Sequence, residues 1–391
     1  MRIALIAPPW LGIPPKGYGG IENVIAALVP ALIKQKHEVE LFTVKTSTIK
    51  SSKNHWIYET EQYEHIHKPV YESLPILAAH SAFAINKILE DSSFDVVHSH
   101  NGFIDPLIFN FIEKNFPPVV HTLHGPPFTT QDRLDIGLPD NLAMWKQLGK
   151  SNKLFYVPIS NTLASTAPNE IKSKFLEPVY NGIDITEFPF EKIKQDYVIT
   201  LARIHPDKGQ KIAIDACLQT GIHLKLAGPL GDIGDPIKAI SEAQNINSPN
   251  KDLTAFKYFR DEILPNLNNP LISFVGDVKG KDKLNLICNA KALLFPIQWD
   301  EPFGMAPIEA LACGTPVISM AKGALTEIID HGVNGFLANS VEEFSTYLDK
   351  IDQINPEDCR KSVELKFSSE AMAQGYIKRY LKAIELAKCN T

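Results

Sequence analysis

Short apolar runs alternate along the chain with longer segments in which apolar residues recur at helical spacing. The clearest helix is predicted over residues 20–36, where Val24, Leu28 and Leu32 share one face. Repeated alternation of strands and helices predicts α/β units with parallel sheets. Strands are predicted at residues 3–7, 39–43, 96–98, 119–122, 155–159 and 178–180, then at 197–202, 223–227, 272–275, 292–295 and 317–319.

Breaks in this pattern predict the domain organisation. Residues 181–190 have little periodicity and contain Gly and Pro, so we interpret them as a linker between domains 1–182 and 183–368. A length of 391 residues also favours two domains. Residues 230–251 are rich in Gly, Pro, Asn and Asp and predict a long loop. A last helix is predicted from 369, capped by Ser368 or Ser369, with Met372, Tyr376 and Tyr380 on one stripe.

Composition excludes several classes of protein. With 44% hydrophobic and 21% charged residues, a net charge of −6 and no run of like charges, the chain is typical of a soluble globular protein without a nucleic-acid partner. The apolar run at the N-terminus is too short for a signal peptide, and no stretch is long enough to span a membrane. Five cysteines without a C-x-x-C pair indicate a reducing, cytoplasmic location. Residues 1–182 carry nearly equal numbers of acidic and basic side chains, so no strongly basic membrane-docking face is evident, and peripheral membrane contact stays open.

Residues 300–319 read D-E-P-F-G-M-A-P-I-E-A-L-A-C-G-T-P-V-I-S and contain two carboxylates eight positions apart. Glu301 is predicted in a loop and Glu309 on the helix that follows it. The amides of Phe303, Gly304 and Met305 open that helix, and such an end favours anions. Ordinary acids at a helix start would give part of this pattern. An anion site between two hydroxyl-binding carboxylates is what a sugar nucleotide requires.

A second cluster, A-R-I-H-P-D-K-G-Q at residues 202–210, follows a predicted strand. Arg203 would lie at the carboxyl end of the strand and Lys208 where the next helix begins. Two cations on such a loop suit a diphosphate. The alternative is a pair of solvated cations beside Asp207.

The segment K-G-Y-G-G-I-E, residues 16–22, follows the first strand. Gly19 and Gly20 would allow close approach of a ligand to the backbone, although a plain tight turn explains them equally well. A dinucleotide-binding fingerprint is excluded, because the G-x-G-x-x-G spacing is absent and the second strand does not end in an acid.

Four histidines follow or end two predicted strands: His98, His100, His121 and His124. Zinc is one interpretation. Without a nearby Cys or an H-E-x-x-H motif, hydrogen-bonded structural histidines are favoured, and we predict no metal. The chain also lacks a D-x-D motif, a pair of carboxylates that could hold a divalent ion.

Residues 300–319 closely resemble the E-x7-E signature of the retaining glycosyltransferases of family 4. Residues 258–267 also resemble a bacterial branch of this family. The resemblance implies the GT-B architecture: two Rossmann-like domains facing a central cleft, with a helix at 369–391 crossing back to the N-terminal, acceptor-side domain. It implies that Glu301 holds the donor sugar and Glu309 the ribose. Arg203 and Lys208 match the R-x4-K pair, which neutralises the leaving diphosphate together with the helix-opening amides.

The same resemblance extends to the first half of the chain. Gly19 and Gly20 match a loop that lies against the diphosphate and the acceptor. His124 matches the histidine that faces the donor sugar, and His100 is its neighbour in the acceptor region. Val278 matches a contact to the nucleotide base. Loops at 58–71 and 126–138 are expected to select the acceptor.

The expected function is transfer of a hexose-type sugar from a nucleotide-diphosphate sugar to an acceptor hydroxyl, with retention and without a metal or other cofactor. A sugar phosphorylase or a nucleotide-sugar epimerase on the same fold is the first alternative. A sugar-nucleotide-binding protein without turnover is the second. The donor sugar, base and acceptor stay open.

Overall fold

The computed structural model describes residues 1–17, 19–66, 68–102, 104–110, 116–126 and 141–389. The chain divides into two compact units. Unit 1 comprises residues 1–183 together with the segment that begins at Ser368, and unit 2 comprises Asp184–Phe367. Each is described by itself. Most of the predicted acceptor loop at 126–138, one residue of the loop at 58–71 and the last two residues of the helix predicted at 369–391 lie outside the described residues.

Unit 1 contains a six-stranded sheet in which every described pair of strands is parallel, in the order β3-β2-β1-β4-β5-β6. Strands β4, β5 and β6 are buried along their whole length, as expected for a parallel sheet covered on both faces. The strands are β1 Arg2–Ile6, β2 Glu38–Phe42, β3 Lys53–His55, β4 Val96–Ser99, β5 Val119–Leu123 and β6 Leu154–Pro158. The α-helices are Gly20–Lys34, Val70–Glu90, Ile104–Phe109, Leu142–Leu148, Asn161–Ser165 and Ser369–Cys389.

The helix Ser369–Cys389 completes the core of unit 1, although it is separated in sequence from the rest. The amide of Ala371 donates to Ser368 Oγ at 3.2 Å, which confirms Ser368 as a cap. The predicted stripe is buried: Met372 and Tyr376 pack inside, and Tyr380 is fully covered. This helix therefore belongs to the sheet at the other end of the chain.

Unit 2 repeats the architecture with a second parallel sheet, in the order β12-β11-β10-β7-β8-β9. Its strands are β7 Val198–Leu201, β8 Leu224–Ala227, β9 Ile272–Gly276, β10 Leu293–Phe295, β11 Val317–Met320 and β12 Gly335–Ala338. Its α-helices are Gln210–Thr220, Pro236–Gln244, Thr254–Tyr258, Gly280–Asn289, Met305–Ala312, Leu325–Ile328, Val341–Leu348 and Pro356–Lys366.

Two predictions about the elements are wrong, and two strands were not predicted. Residues 178–180 form no strand, because a single backbone hydrogen bond, from Val179 N to Pro158 O at 3.0 Å, joins this segment to β6. The predicted loop at 230–251 contains the helix Pro236–Gln244, which Asp235 caps by accepting a hydrogen bond from Lys238 N at 2.8 Å. The edge strands β3 and β12 were not expected from the apolar pattern.

Among the described residues, no helix is both long and apolar enough to cross a membrane. Four of the cysteines are buried and Cys389 is exposed, and all five are free thiols.

Candidate functional site

In unit 2 the strand order reverses at β7, which pairs with β8 on one side and β10 on the other. At such a reversal the loops after the two central strands diverge and leave a crevice at the carboxyl edge of the sheet, where ligands of α/β folds bind. The loop after β7 carries Arg203 and Lys208, and the loop after β10 carries Glu301. The topology therefore brings two separate sequence motifs to one edge.

The loop after β7 is packed tightly against the loop after β10. A single turn of 3₁₀-helix, Pro206–Lys208, ends at Gly209, which has a φ of 67°. A Cβ at Gly209 would lie 2.0 Å from the carbonyl oxygen of Pro296, so only glycine fits. Gln298 N also donates to Asp207 O at 2.7 Å. The position of Lys208 is thus fixed by the backbone on both sides of the crevice.

Lys208 and Glu301 form the central ion pair of this edge. Lys208 Nζ lies 2.7 Å from Glu301 Oε2, and the two side chains are 13% and 16% exposed. The ammonium also lies 5.2 Å from the ring centre of Trp299 and 5.8 Å from that of Phe295. The pair is mostly covered but still reachable, so an incoming anion could engage Lys208 and hydroxyl groups could engage Glu301.

The backbone of Glu301 is held by the segment after β11. Glu301 O accepts from Ala324 N at 2.9 Å, and Asp300 Oδ1 accepts from Gly323 N at 3.1 Å. Gly323 has a φ of 54°, and a Cβ there would meet Glu301 N at 2.4 Å. Three successive strands of the sheet therefore contribute to the geometry of one carboxylate.

The helix predicted after Glu301 runs from Met305 to Ala312, and Glu309 lies on it, as predicted. Its N-cap is Gly304, with a φ of 112° and no side chain to bond the first amides. Phe303 is buried, with its ring 5.9 Å from that of Phe367, so its side chain belongs to the core. Any ligand contact of Phe303 must come from its backbone.

Glu309 has a partner that the sequence analysis did not identify. Lys283, on the helix Gly280–Asn289, lies 2.8 Å and 2.7 Å from the two carboxylate oxygens of Glu309. Lys283 follows two other lysines within five residues, and nothing in that run distinguishes it. Only the fold shows which lysine faces the second glutamate.

Two other predicted residues lie apart from these ion pairs. Arg203 is exposed, and its side chain contacts no partner among the described residues, although its carbonyl accepts from Gln210 Nε2 at 2.9 Å. Val278 is half-buried in the loop after β9. The structure thus brings Lys208 and Glu301 into contact and leaves Arg203 as an unpaired cation on the same loop.

In unit 1 the strand order reverses at β1, between β2 and β4. Gly19 is the N-cap of the helix Gly20–Lys34 after β1, and a Cβ there would approach Leu11 and Pro15 at 3.0 Å. The residues after β4 and β5 include the predicted histidines. A pocket of about 200 Å³ lies where these segments meet. It is lined by Ile21, His100, Gly102, His121, Thr122, Leu123, His124, Gly125 and Pro126.

The histidines form a hydrogen-bonded cluster. His100 Nδ1 lies 2.7 Å from His124 Nε2. His98 bonds Tyr380 OH through Nδ1 at 2.7 Å and Thr122 Oγ1 through Nε2 at 2.8 Å. On the other side of β4, His121 Nδ1 lies 3.0 Å from Ser99 Oγ. Each of the four histidines thus has a specific hydrogen-bond partner, as predicted.

Burial keeps these imidazoles neutral. It lowers the pKa of His124 to about 4 and that of His121 to about 3, and the pKa values of His98 and His100 lie well below the usual range for the same reason. Asp105, bonded to Ser81, Ser99 and Asn101, is also fully buried, and burial raises its pKa to about 6. Within the described parts of the chain, no group of three or more His, Cys, Asp or Glu side chains could hold a metal ion.

Two family models account for most of the chain. Residues 18–187 match Glycosyltransferase Family 4, and residues 184–364 match Glycosyl transferases group 1. This chain belongs to the glycosyltransferases. The resemblance inferred from residues 300–319 is confirmed at that level, and the fold class is GT-B as predicted.

Individual relatives are distant but match over nearly the full length. Spore coat protein SA of Bacillus subtilis (strain 168) is 24% identical, over 98% of this chain and 100% of its own. The solved structure of sucrose-phosphate synthase from Thermosynechococcus elongatus has a TM-score of 0.68 at 19% identity, covering 98% and 99% of the two chains. Anabaena Alr3699/HepE, solved in complex with UDP-glucose, has a TM-score of 0.64 at 17% identity, covering 98% and 100%.

Proposed function

We propose that this glycosyltransferase moves a hexose-type sugar from a nucleotide-diphosphate sugar to an acceptor hydroxyl, with retention of anomeric configuration and without a metal ion. The observation that carries the proposal is the Lys208–Glu301 pair at the strand reversal of unit 2, 2.7 Å apart and still partly accessible. A cation and a hydroxyl-binding carboxylate in contact suit the junction between a diphosphate and a sugar.

Breaking the bond between sugar and phosphate builds negative charge on the diphosphate, so stabilising that charge is the main demand on the site. Lys208 and the unpaired Arg203 supply the positive charge. The amides that open the helix at Gly304 and Met305 add partial positive charge, because first-turn amides have no partner within the helix. The first turn of that helix contains no acidic residue that would offset this charge. These groups would stabilise the negative charge on the diphosphate, for which many enzymes use a divalent ion.

Glu301 neutralises Lys208 across their 2.7 Å contact. When a diphosphate replaces Glu301 as the partner of Lys208, the Glu301 carboxylate can accept hydrogen bonds from sugar hydroxyls. Glu309 would bind the ribose while Lys283 holds its carboxylate in a bidentate contact. Val278 would pack against the base. In unit 1, we assign Gly19 and Gly20 to the donor diphosphate and the acceptor, His124 to the donor sugar and His100 to the acceptor region.

The direct test replaces Lys208 by Ala and Glu301 by Gln. Both changes should lower turnover of a nucleotide sugar by roughly two orders of magnitude, the usual effect of removing one group that stabilises transition-state charge. Lys211→Ala is the matched control, because its side chain bonds only Asp215 on the same exposed helix face at 2.6 Å. Activity of the Lys208 and Glu301 variants within a few-fold of wild type would show that this pair is not the site.

Donor choice can be screened by thermal shift with UDP, GDP and ADP sugars, since a ligand that binds only the folded state raises the melting temperature. UDP-glucose is the first donor to try, because Anabaena Alr3699/HepE was solved in complex with it. Product analysis in excess phosphate separates the alternatives. Free nucleotide without sugar phosphate supports transfer, sugar phosphate indicates a phosphorylase, an isomerised nucleotide sugar indicates an epimerase, and binding without turnover indicates a sensor.

We also propose a cytoplasmic location, for which the buried free thiols give support. The acceptor and any peripheral membrane contact are to be found by fractionation and by screening hydroxyl acceptors in the presence of the donor that binds.

A further inference from the structure

The ion pair between Lys283 and Glu309 joins two helices of unit 2. We call Gly280–Asn289, which carries Lys283, the lysine helix, and Met305–Ala312, which carries Glu309, the glutamate helix. The two side chains of the pair are 28% and 13% exposed, and an accessible pair of long side chains contributes little to holding two helices together. The direction in which the Glu309 carboxylate points therefore depends on what else fixes these helices.

Lys194, which precedes β7, joins the same two helices at their C-terminal ends. Its Nζ donates to Cys288 O, in the last turn of the lysine helix, at 2.7 Å. It also donates to Cys313 O, at the C-cap of the glutamate helix, at 3.1 Å. Carbonyls at the end of a helix lack partners within it and carry the negative end of its dipole. One ammonium therefore bridges two helix ends that both favour a cation.

The third donor of the Lys194 ammonium is also engaged, by Thr315 Oγ1 at 3.0 Å. The same hydroxyl donates to Ile287 O at 2.8 Å, which is again in the last turn of the lysine helix. Burial lowers the pKa of Lys194, so its three acceptors replace water that the ammonium has lost. Hydrogen bonds from a charged donor are stronger than those between neutral groups, and this junction is therefore firmer than the exposed ion pair.

The junction at Lys194 lies close to the ion pair along both helices. Lys283 comes five residues before Cys288, and Glu309 comes four residues before Cys313. At 1.5 Å per residue, these separations are about 7.5 Å and about 6 Å along the helix axes. Two joints at this spacing fix an angle between the helices that a single flexible ion pair leaves free.

We propose that Lys194 is a positioning residue for nucleotide recognition: it joins the ends of the two helices, keeps Lys283 against Glu309, and so directs the Glu309 carboxylate at the ribose hydroxyls of the donor. The inference rests on the proposed function for the role of the ribose. Lys194 acts through the helices rather than on the ligand, and none of the motifs recognised in the sequence includes it.

Three variants of the full chain test this role. Lys194→Met removes the ammonium and keeps an unbranched apolar stem. Thr315→Val removes one acceptor and keeps the buried volume, so it tests the junction even where Lys194→Met folds poorly. Lys192→Met is the matched control, because Lys192 lies two residues earlier and pairs with the exposed Glu357.

The first readout is the ¹³Cε resonance of Lys283 in lysine-labelled protein without nucleotide, assigned with Lys283→Arg. Glu309→Gln gives the position of the unpaired lysine. Lys194→Met should move the resonance at least halfway to that position, Thr315→Val should move it less in the same direction, and Lys192→Met should leave it in place. A resonance that keeps its wild-type position in folded Lys194→Met and Thr315→Val would overturn the inference. No nucleotide is present, so this result does not depend on the proposed function.

The second readout compares the dissociation constants of UDP, GDP and ADP with those of their 2′,3′-dideoxy analogues, by titration calorimetry. The wild type should bind the ribonucleotide at least about tenfold more tightly, and Glu309→Ala should remove this preference. Lys194→Met should reduce the preference about fivefold and keep the affinity for the dideoxy analogue within about twofold. A role in folding alone would weaken both ligands equally, so an unchanged preference in Lys194→Met would refute the inference.

Failure of the proposed function has a different signature. A ribose preference that survives Glu309→Ala would overturn the assignment of Glu309 to the ribose, and this inference with it, even where Lys194→Met shifts the resonance of Lys283. A preference that Glu309→Ala removes and Lys194→Met preserves would leave the proposed function standing and overturn the role of Lys194 alone.

Discussion

Acid should destabilise unit 1 selectively, because the folded state keeps several histidines neutral that the unfolded chain protonates. Burial lowers the pKa of His121 to about 3 and that of His80 to about 4, and His98 and His100 shift in the same direction. All four are at most 2% exposed. Since the folded pKa values lie below the unfolded value of about 6.5, stability should be lost as the pH falls below neutral.

The magnitude follows from the linkage between protonation and folding. From pH 7 to pH 5, an unfolded histidine takes up most of one proton, whereas one with a folded pKa of 3 or 4 takes up almost none. Each such histidine removes about 2 kcal/mol from the free energy of unfolding over this interval. His80 and His121 together therefore remove about 4 kcal/mol, a large share of the stability of a typical domain.

Asp105 opposes this loss. Burial raises its pKa to about 6, above its unfolded value, so the folded state takes up a proton between pH 7 and pH 5 that the unfolded chain does not. This uptake stabilises the folded state by about 1 kcal/mol over the interval. The net loss from His80, His121 and Asp105 is about 3 kcal/mol, and His98 and His100 add to it.

The assay is urea unfolding of a Trp299→Phe variant, followed by tryptophan fluorescence at pH 7, 6 and 5. Trp299 is the only tryptophan of unit 2, so the remaining signal, including that of the fully buried Trp145, reports on unit 1. His121→Phe should reduce the difference between pH 7 and pH 5 by about 2 kcal/mol, whatever its stability at pH 7. Equal unfolding free energies at pH 7 and pH 5 would refute the reasoning.

Two substitutions test the local geometry of unit 2. Gly209→Ala should destabilise unit 2 by more than about 2 kcal/mol, because its Cβ would overlap the carbonyl of Pro296. Gly221→Ala is the control: Gly221 has a similar φ of 72° with open space around it, so this change should cost only about 1 kcal/mol. Equal costs in urea unfolding would contradict the importance of that contact. Asp235→Ala should cost about 1 kcal/mol through loss of the cap on the helix Pro236–Gln244, and no loss would show that the cap is dispensable. These variants are measured by urea unfolding of the chain that retains Trp299, the only tryptophan of unit 2.

The central strands of both sheets could be predicted from sequence, because buried parallel strands are continuous apolar runs. Two of the four edge strands, β3 and β12, could not, whereas the edge strands β6 and β9 were predicted. Strand β3 reads Lys-Asn-His, and β12 begins with Gly335, whose missing side chain lets the backbone of β11 approach closely. The helix Pro236–Gln244 was overlooked because its surroundings are rich in loop residues, although Asp-Pro is itself a helix-start signal.

The ion pairs of unit 2 show where sequence reasoning about the site ends. Lys208 and Glu301 could each be predicted from the surrounding motif, and the strand reversal explains why they meet. Lys283 could not, because its role depends on a contact with Glu309 across 26 positions that no local pattern encodes. Similarly, the histidines of β4 were visible in the sequence, but the tyrosine that bonds His98 lies 282 positions away.

The return of the last helix to unit 1 has a consequence for synthesis of the protein. As the ribosome extends the chain, unit 2 is contiguous and can close its core once Phe367 has emerged. Unit 1 cannot, since its core also needs Tyr376 and Tyr380, which bond Thr122 and His98 and are made only after all of unit 2. The half translated first is therefore the half completed last. A chain broken off before residue 368 would lack the hydrogen bonds of His98 to Tyr380 and of Thr122 to Tyr376.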